Sequence, residues 1–312
     1  MNVSFFFEVL IGGLLAGVMY SLVAIGFVLI YKASGVFNFA QGAMVFFAAL
    51  TFVSLLEAGV NFWLALVITL AVMVVLGIAT EKVVLRPLVN QPPITLFMAT
   101  IGLTFVLEGL SQLVWGSQPH GLELGIPDVP MEWLSQTWGI NISQFDLFAA
   151  GVAGVLVVVL ALFFQYTRIG RALRAVADDH QAALAVGIPL KHIWAIVWAV
   201  AGFVALVAGL MWGARNGVQY SLTFIALKAL PVLILGGFES VAGAIVGGLI
   251  VGASEKLAEV YLPQLVGPGL AELLGAPVNL QGIESWFAYV VALLFLLVRP
   301  EGLFGEKIID RV

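Results

Sequence analysis

Two amides stand three residues apart in the stretch GVFNFAQG, Gly35 to Gly42: Asn38 and Gln41. At i and i+3 of a helix start they share a face, with glycines at each end. Amides beside hydrocarbon cost free energy unless they are paired. Two roles follow: they cap a span and bond to a neighbouring helix, or they line a polar pathway or its cytoplasmic gate. Tyr20 and Ser21 offer hydroxyls along a glycine-rich face with Gly12, Gly13 and Gly17, and the same choice applies, interhelical bonding or pathway lining. Glu108, Lys228, Glu239, Glu255 and Lys256 are ionisable residues within or beside apolar stretches. Such groups are expensive in a membrane and face a cavity or a partner. They are not strung along one helix as a proton relay requires, which favours internal pairing or an interfacial position.

The second concentration of chemistry is RIGRALRAVADDHQAALAVGIPLKH, Arg168 to His192. It holds Arg168, Arg171, Arg174, Lys191, Asp178 and Asp179, six of the 31 charged residues (13 basic and 18 acidic). Ala172, Ala175, Ala182, Ala183 and Ala185 recur at helical spacing, and Gly187 followed by Ile188-Pro189 stops the helix. A basic anchor just inside a membrane explains the arginines. It does not explain the aspartates, the alanine face or the glycine stop, all of which suit a short helix that another protein grips.

Several chemistries are excluded. There is no G-x-x-x-x-G-K-[ST], so ATP phosphates have no cradle of the usual kind. GGFESVAGAIVGG, Gly236 to Gly248, is glycine-rich but lacks the lysine; small residues of this sort are the ordinary device for close helix packing in membranes. With no cysteine and three scattered histidines, thiolate sites are impossible and a metal cluster is not expected. Paired carboxylates and nucleophile triads are missing too, so we expect no enzyme activity and no cofactor.

The elements that position these residues follow from composition. The chain is 62% hydrophobic and 10% charged, far below the charge of soluble domains. We expect an all-α, polytopic membrane protein whose 312 residues form a single transmembrane domain. Apolar blocks of the length that crosses a bilayer, roughly 20 residues, begin near Phe5, Val36, Phe62, Pro93, Phe145, Ile193, Leu222, Val241 and Ser285. That gives about nine spans, or eight to ten if 33–42 and 222–237 are re-entrant. Polar connectors run over 116–144 and 263–284. With the N-terminus outside, ten of the thirteen basic residues fall on one side, which is then cytoplasmic. The opening MNVSFFFEVLIGG lacks a basic n-region and cleavage site, and so is expected to be an uncleaved span.

NFAQGAM, RIGRALRAVADDHQAALAVGI and LGGFESVAGAIVGGLIVG, in that order, resemble the motifs of the LivH-type permeases, the branched-chain amino-acid members of bacterial ABC importers. The resemblance runs from about Leu10 to Phe304 and implies a multi-pass inner-membrane subunit. It further implies a second, LivM-like permease subunit, two cytoplasmic ATPase subunits and a periplasmic substrate-binding protein, with membrane lipid around them and no nucleic acid. On it, Ala175, Asp178, Asp179, Ala182, Ala183 and Gly187 are the ATPase-docking residues, and with Arg171 and Arg174 of the same helix they make the expected ATPase-coupling set; from the residues themselves, Tyr20, Ser21, Asn38 and Gln41 are the pathway candidates. Branched-chain or related amino acids are the expected substrates. Permeases for urea, short amides and aromatic acids look similar, and an ion-coupled secondary transporter is the rival from another class.

Overall fold

The structure is a computed structural model that describes residues 3–88, 91–178, 183, 185, 187–274 and 282–305. The chain folds into helices α1 (Val3–Ser34), α2 (Gln41–Glu57), α3 (Phe62–Ala79), α4 (Pro93–Trp115), α5 (Glu132–Trp138) and α6 (Gln144–Tyr166). They are followed by α7 (Arg168–Asp178), α8 (Leu190–Asn216), α9 (Ile225–Gly236), α10 (Val241–Leu274) and α11 (Ile283–Val298). The expected all-helical, polytopic membrane architecture is what the chain adopts. Among the described residues six helices are long and apolar enough to cross a bilayer, and three shorter apolar ones cover Gln41–Glu57, Tyr220–Gly236 and Trp286–Val298.

Two boundaries differ from expectation. The second apolar block becomes helical only at Gln41, because Gly35 adopts a left-handed conformation (φ +66°) that ends α1. In the other case α10 runs through Pro263 and Pro268 to Leu274, so the first part of the expected 263–284 connector is helical. A proline removes one helical hydrogen bond and bends the axis, which a membrane helix tolerates. The 116–144 connector contains the short α5.

The chain divides into two compact units. The first contains Met1–Ser21, Gly125–Val155 and Lys228–Val312. Its α1 segment meets α10 through glycines: a Cβ on Gly13 would lie 2.7 Å from the Gly252 oxygen, and one on Gly17 would lie 2.5 Å from the Gly248 oxygen. Gly236 and Gly243 bring α9 and α10 together in the same way. Backbone N–H groups of Leu303 and Phe304 donate to the carbonyls of Leu235 and Gly236, closing the end of α9. Such contacts are how helices adhere where lipid tails are as apolar as leucine.

The second unit contains Leu22–Leu124 and Leu156–Leu227. Its centre is α2, buried at every residue from Gln41 to Val53. Gly209 of α8 abuts the Val45 carbonyl, and Gly77 and Gly202 set α3 against α8. At the far end of α2, Glu57 bonds the His120 ring (2.9 Å), and His120 and Val218 exchange backbone hydrogen bonds.

Candidate functional site

The amide site lies within the second unit. Gly35 ends α1, and Asn38 turns the chain into α2: its carbonyl accepts from the Gln41 N–H (3.2 Å) and its Oδ1 from the Ala40 N–H (3.1 Å). Asn38 thus precedes α2 rather than sharing its first turn. Its Nδ2 donates to Gln41 Oε1 (3.2 Å). Thr100 of α4 pins the segment, donating to the Phe37 carbonyl (3.1 Å) and accepting from the Phe39 N–H (3.4 Å). Phe27 stacks on Phe37 and Phe97 meets Phe39 edge to face. Both amides are fully buried.

Gln41 is only half satisfied. Its Nε2 has no hydrogen-bond partner among the described residues. It sits over Gly26, where a Cβ would come within 2.6 Å of that nitrogen. A buried amide N–H without a partner costs about 1–3 kcal/mol, so the fold retains an idle donor at its most protected helix. Gly26 and Thr100 carry no signal in the sequence: one is a glycine in an apolar run, the other one of several threonines in α4.

Tyr20 and Ser21 lie in the first unit. Ser21 Oγ is within reach of the Gly17 carbonyl (2.9 Å) and the Ile245 carbonyl (3.3 Å), and Tyr20 donates to Glu255 Oε1 (3.2 Å). Lys228 Nζ donates to the same oxygen (3.0 Å). The structure therefore brings Asn38 and Gln41 into direct contact and joins Tyr20 instead to an ion pair. Of the other ionisable residues, Glu108 accepts from Tyr220 (3.1 Å), Lys256 pairs with Glu259 (2.6 Å), and Glu239 is exposed between α9 and α10. Sequence spacing missed one more pair. A widened turn over Thr80–Leu85 aligns residues five apart, so Arg86 grips the fully buried Glu81 with two hydrogen bonds (2.9 and 2.6 Å).

The basic segment begins with an elbow between α6 and α7. Thr167 donates to the Phe163 carbonyl (2.6 Å) and accepts from the Gly170 N–H (3.1 Å). Arg171 bonds the Tyr166 carbonyl, and Arg174 bonds those of Phe164 and Gln165. These two arginines satisfy orphan carbonyls at the end of α6, where positive charge is favoured. Leu173, Val176 and Ala183 face inward, Ala175 is half-buried, and Gly187 is exposed at φ +85°. Asp178 ends α7, while Asp179 and Ala182 lie outside the described residues.

Gly170 makes the elbow possible, since a Cβ there would lie 2.0 Å from the Phe164 carbonyl oxygen. Gly170→Val is expected to open the elbow while α6 still inserts. Limited proteolysis of membranes should then cut after Thr167 far faster than in the wild type, and an unchanged pattern would refute the account.

Known proteins bear on these sites. The family model described as branched-chain amino acid transport system / permease component matches residues 9–299. The high-affinity branched-chain amino acid transport system permease protein LivH of Escherichia coli (strain K12) is 26% identical, covering 99% of this chain and 98% of its own. The permease protein BraD of Pseudomonas aeruginosa is 27% identical with 98% of both chains covered. A probable LivH of Methanocaldococcus jannaschii is 28% identical, covering 95% and 92%. With the match spanning both the amide segment and the basic helix, this chain belongs to the branched-chain amino acid transport permease family.

Proposed function

We propose that the chain is the pore-forming permease subunit of an ATP-driven importer for branched-chain or related amino acids. It sits in the inner membrane as a multi-pass protein and hydrolyses nothing itself. Two cytoplasmic ATPase subunits grip the segment 168–192 and a LivM-like second permease completes the pore. A periplasmic binding protein delivers the substrate, and ATP binding moves the helices as rigid bodies between inward and outward access. Within the second unit Asn38 and Gln41 line a polar pathway or its cytoplasmic gate; Tyr20 and Ser21 of the first unit are separate pathway candidates by their hydroxyls. The observation that carries this reading is the family match over residues 9–299.

The test is uptake by membrane vesicles containing the whole transporter. Tryptophan in place of Asp178, Asp179 and Gly187 should leave the protein inserted and reduce ATP-dependent leucine uptake to background. Uptake that survives both the substitutions and ATP depletion would establish the ion-coupled alternative instead. Substrate identity is read from the cognate binding protein: ligands that raise its melting temperature stabilise it by RT ln(1 + [L]/Kd). Leucine, isoleucine and valine should rank above urea, short amides and aromatic acids.

A further inference from the structure

In the first unit the pathway candidate Tyr20 belongs to a cluster whose other two members, Lys228 and Glu255, have no part in the import cycle as described. Glu255 stands about 21 Å along α10 from its first residue, and Tyr20 about 26 Å along α1, at 1.5 Å per residue. Both helices are long enough to cross the bilayer, so the cluster lies at hydrocarbon depth. Lys228 Nζ and the Tyr20 hydroxyl both donate to Glu255 Oε1, at 3.0 and 3.2 Å. Among the described residues nothing bonds Glu255 Oε2, and Nζ uses one of its three donors.

Exposure is uneven. The Lys228 side chain is 38% accessible and that of Glu255 10%, whereas Tyr20 is buried. A lysine side chain more than a third accessible at this depth does not turn its charge to acyl chains; it faces a water-filled cavity or protein. The accessible edge therefore presents spare cationic donors beside a spare carboxylate oxygen.

We propose, on the basis of the import function above, that this edge is a binding site for a zwitterionic solute of the α-amino-acid type. Lys228 Nζ takes the ligand carboxylate, Glu255 Oε2 takes its ammonium, and Tyr20 holds Oε1 in place. A simple anion meets repulsion from Glu255, and a simple cation meets repulsion from Lys228. A zwitterion satisfies both groups and leaves the net charge of the site unchanged, the favourable case where dielectric is low.

Binding of tritiated L-leucine to the purified complete transporter tests the assignment, with isoamylamine and 4-methylpentanoate as competitors lacking one charge each. Wild type should bind leucine and ignore both competitors. Lys228→Met should weaken binding by at least about tenfold, as expected for losing a hydrogen bond to a charged group. Because it also strands Glu255, the double variant Lys228→Met/Glu255→Gln supplies a neutral, Tyr20-bonded control with the same expected loss. Leucine binding at wild-type strength in the double variant overturns the site. So does dissociation of the complex in both variants, which would make the pair a subunit contact. ATP dependence of wild-type uptake is measured in parallel, so a failed import function and a failed site give different results.

Discussion

Gly252→Leu is expected to abolish recovery of folded protein, while Gly12→Leu on the facing helix leaves it nearly unchanged. A Cβ on Gly252 would fall 2.4 Å from the Gly13 carbonyl oxygen and 2.5 Å from the Gly17 backbone, whereas one on Gly12 meets nothing within 4 Å. The obstruction is main chain, which cannot swing aside as a side chain does. Relief requires α1 and α10 to separate, and that breaks the Tyr20–Glu255 bond and withdraws Ser21 from Ile245 as well. Overpacking of this kind costs about 3 kcal/mol or more, enough to lower cellular abundance severely. Detergent extraction followed by fluorescence-detected gel filtration would show the loss of the monodisperse peak. A peak of wild-type height for Gly252→Leu would refute the helix crossing described above.

Gln41→Leu should show the opposite pattern, with a normal folded yield and uptake at least about tenfold lower, the scale of losing a buried hydrogen-bond donor from a binding or gating step. Leucine removes the idle Nε2 donor, whose burial is unfavourable, and fills similar space over Gly26. It also deprives Asn38 Nδ2 of its oxygen partner, leaving the Met44 sulfur at 3.7 Å. The two changes offset each other in stability to within about 1 kcal/mol. Lost uptake with unchanged stability would mean that the hydrogen bonds of Gln41 serve another state of the transporter. Thermal unfolding in detergent and vesicle uptake measure the two halves of this expectation. Uptake at the wild-type level would return Gln41 to a purely structural role.

What the sequence determined by itself is what stands out against an apolar background. The apolar blocks marked where helices lie because backbone groups in hydrocarbon must bond within their own segment. Arg168, Arg171 and Arg174 marked the basic helix because charge is rare in such a chain, and Gly187 before Ile188-Pro189 marked its stop. Gly35, Asn38 and Gln41 marked a break because amides flanked by glycine interrupt an apolar run. Helix ends were less legible: nothing local revealed that α10 would continue past Pro263.

Only the tertiary structure decided which way each helix faces. In water an apolar stripe announces the buried side, but a helix surrounded by lipid is apolar all round, so its rotation leaves no periodic trace. Hence Gly13, Gly17 and Gly248 could be recognised as packing glycines without their partners being known, and Gly252 drew no such reading. Likewise Tyr20 and Glu255, 235 residues apart, gave no sign of meeting at Lys228. Gly26 became the seat of Gln41 only once α1 and α2 were laid side by side.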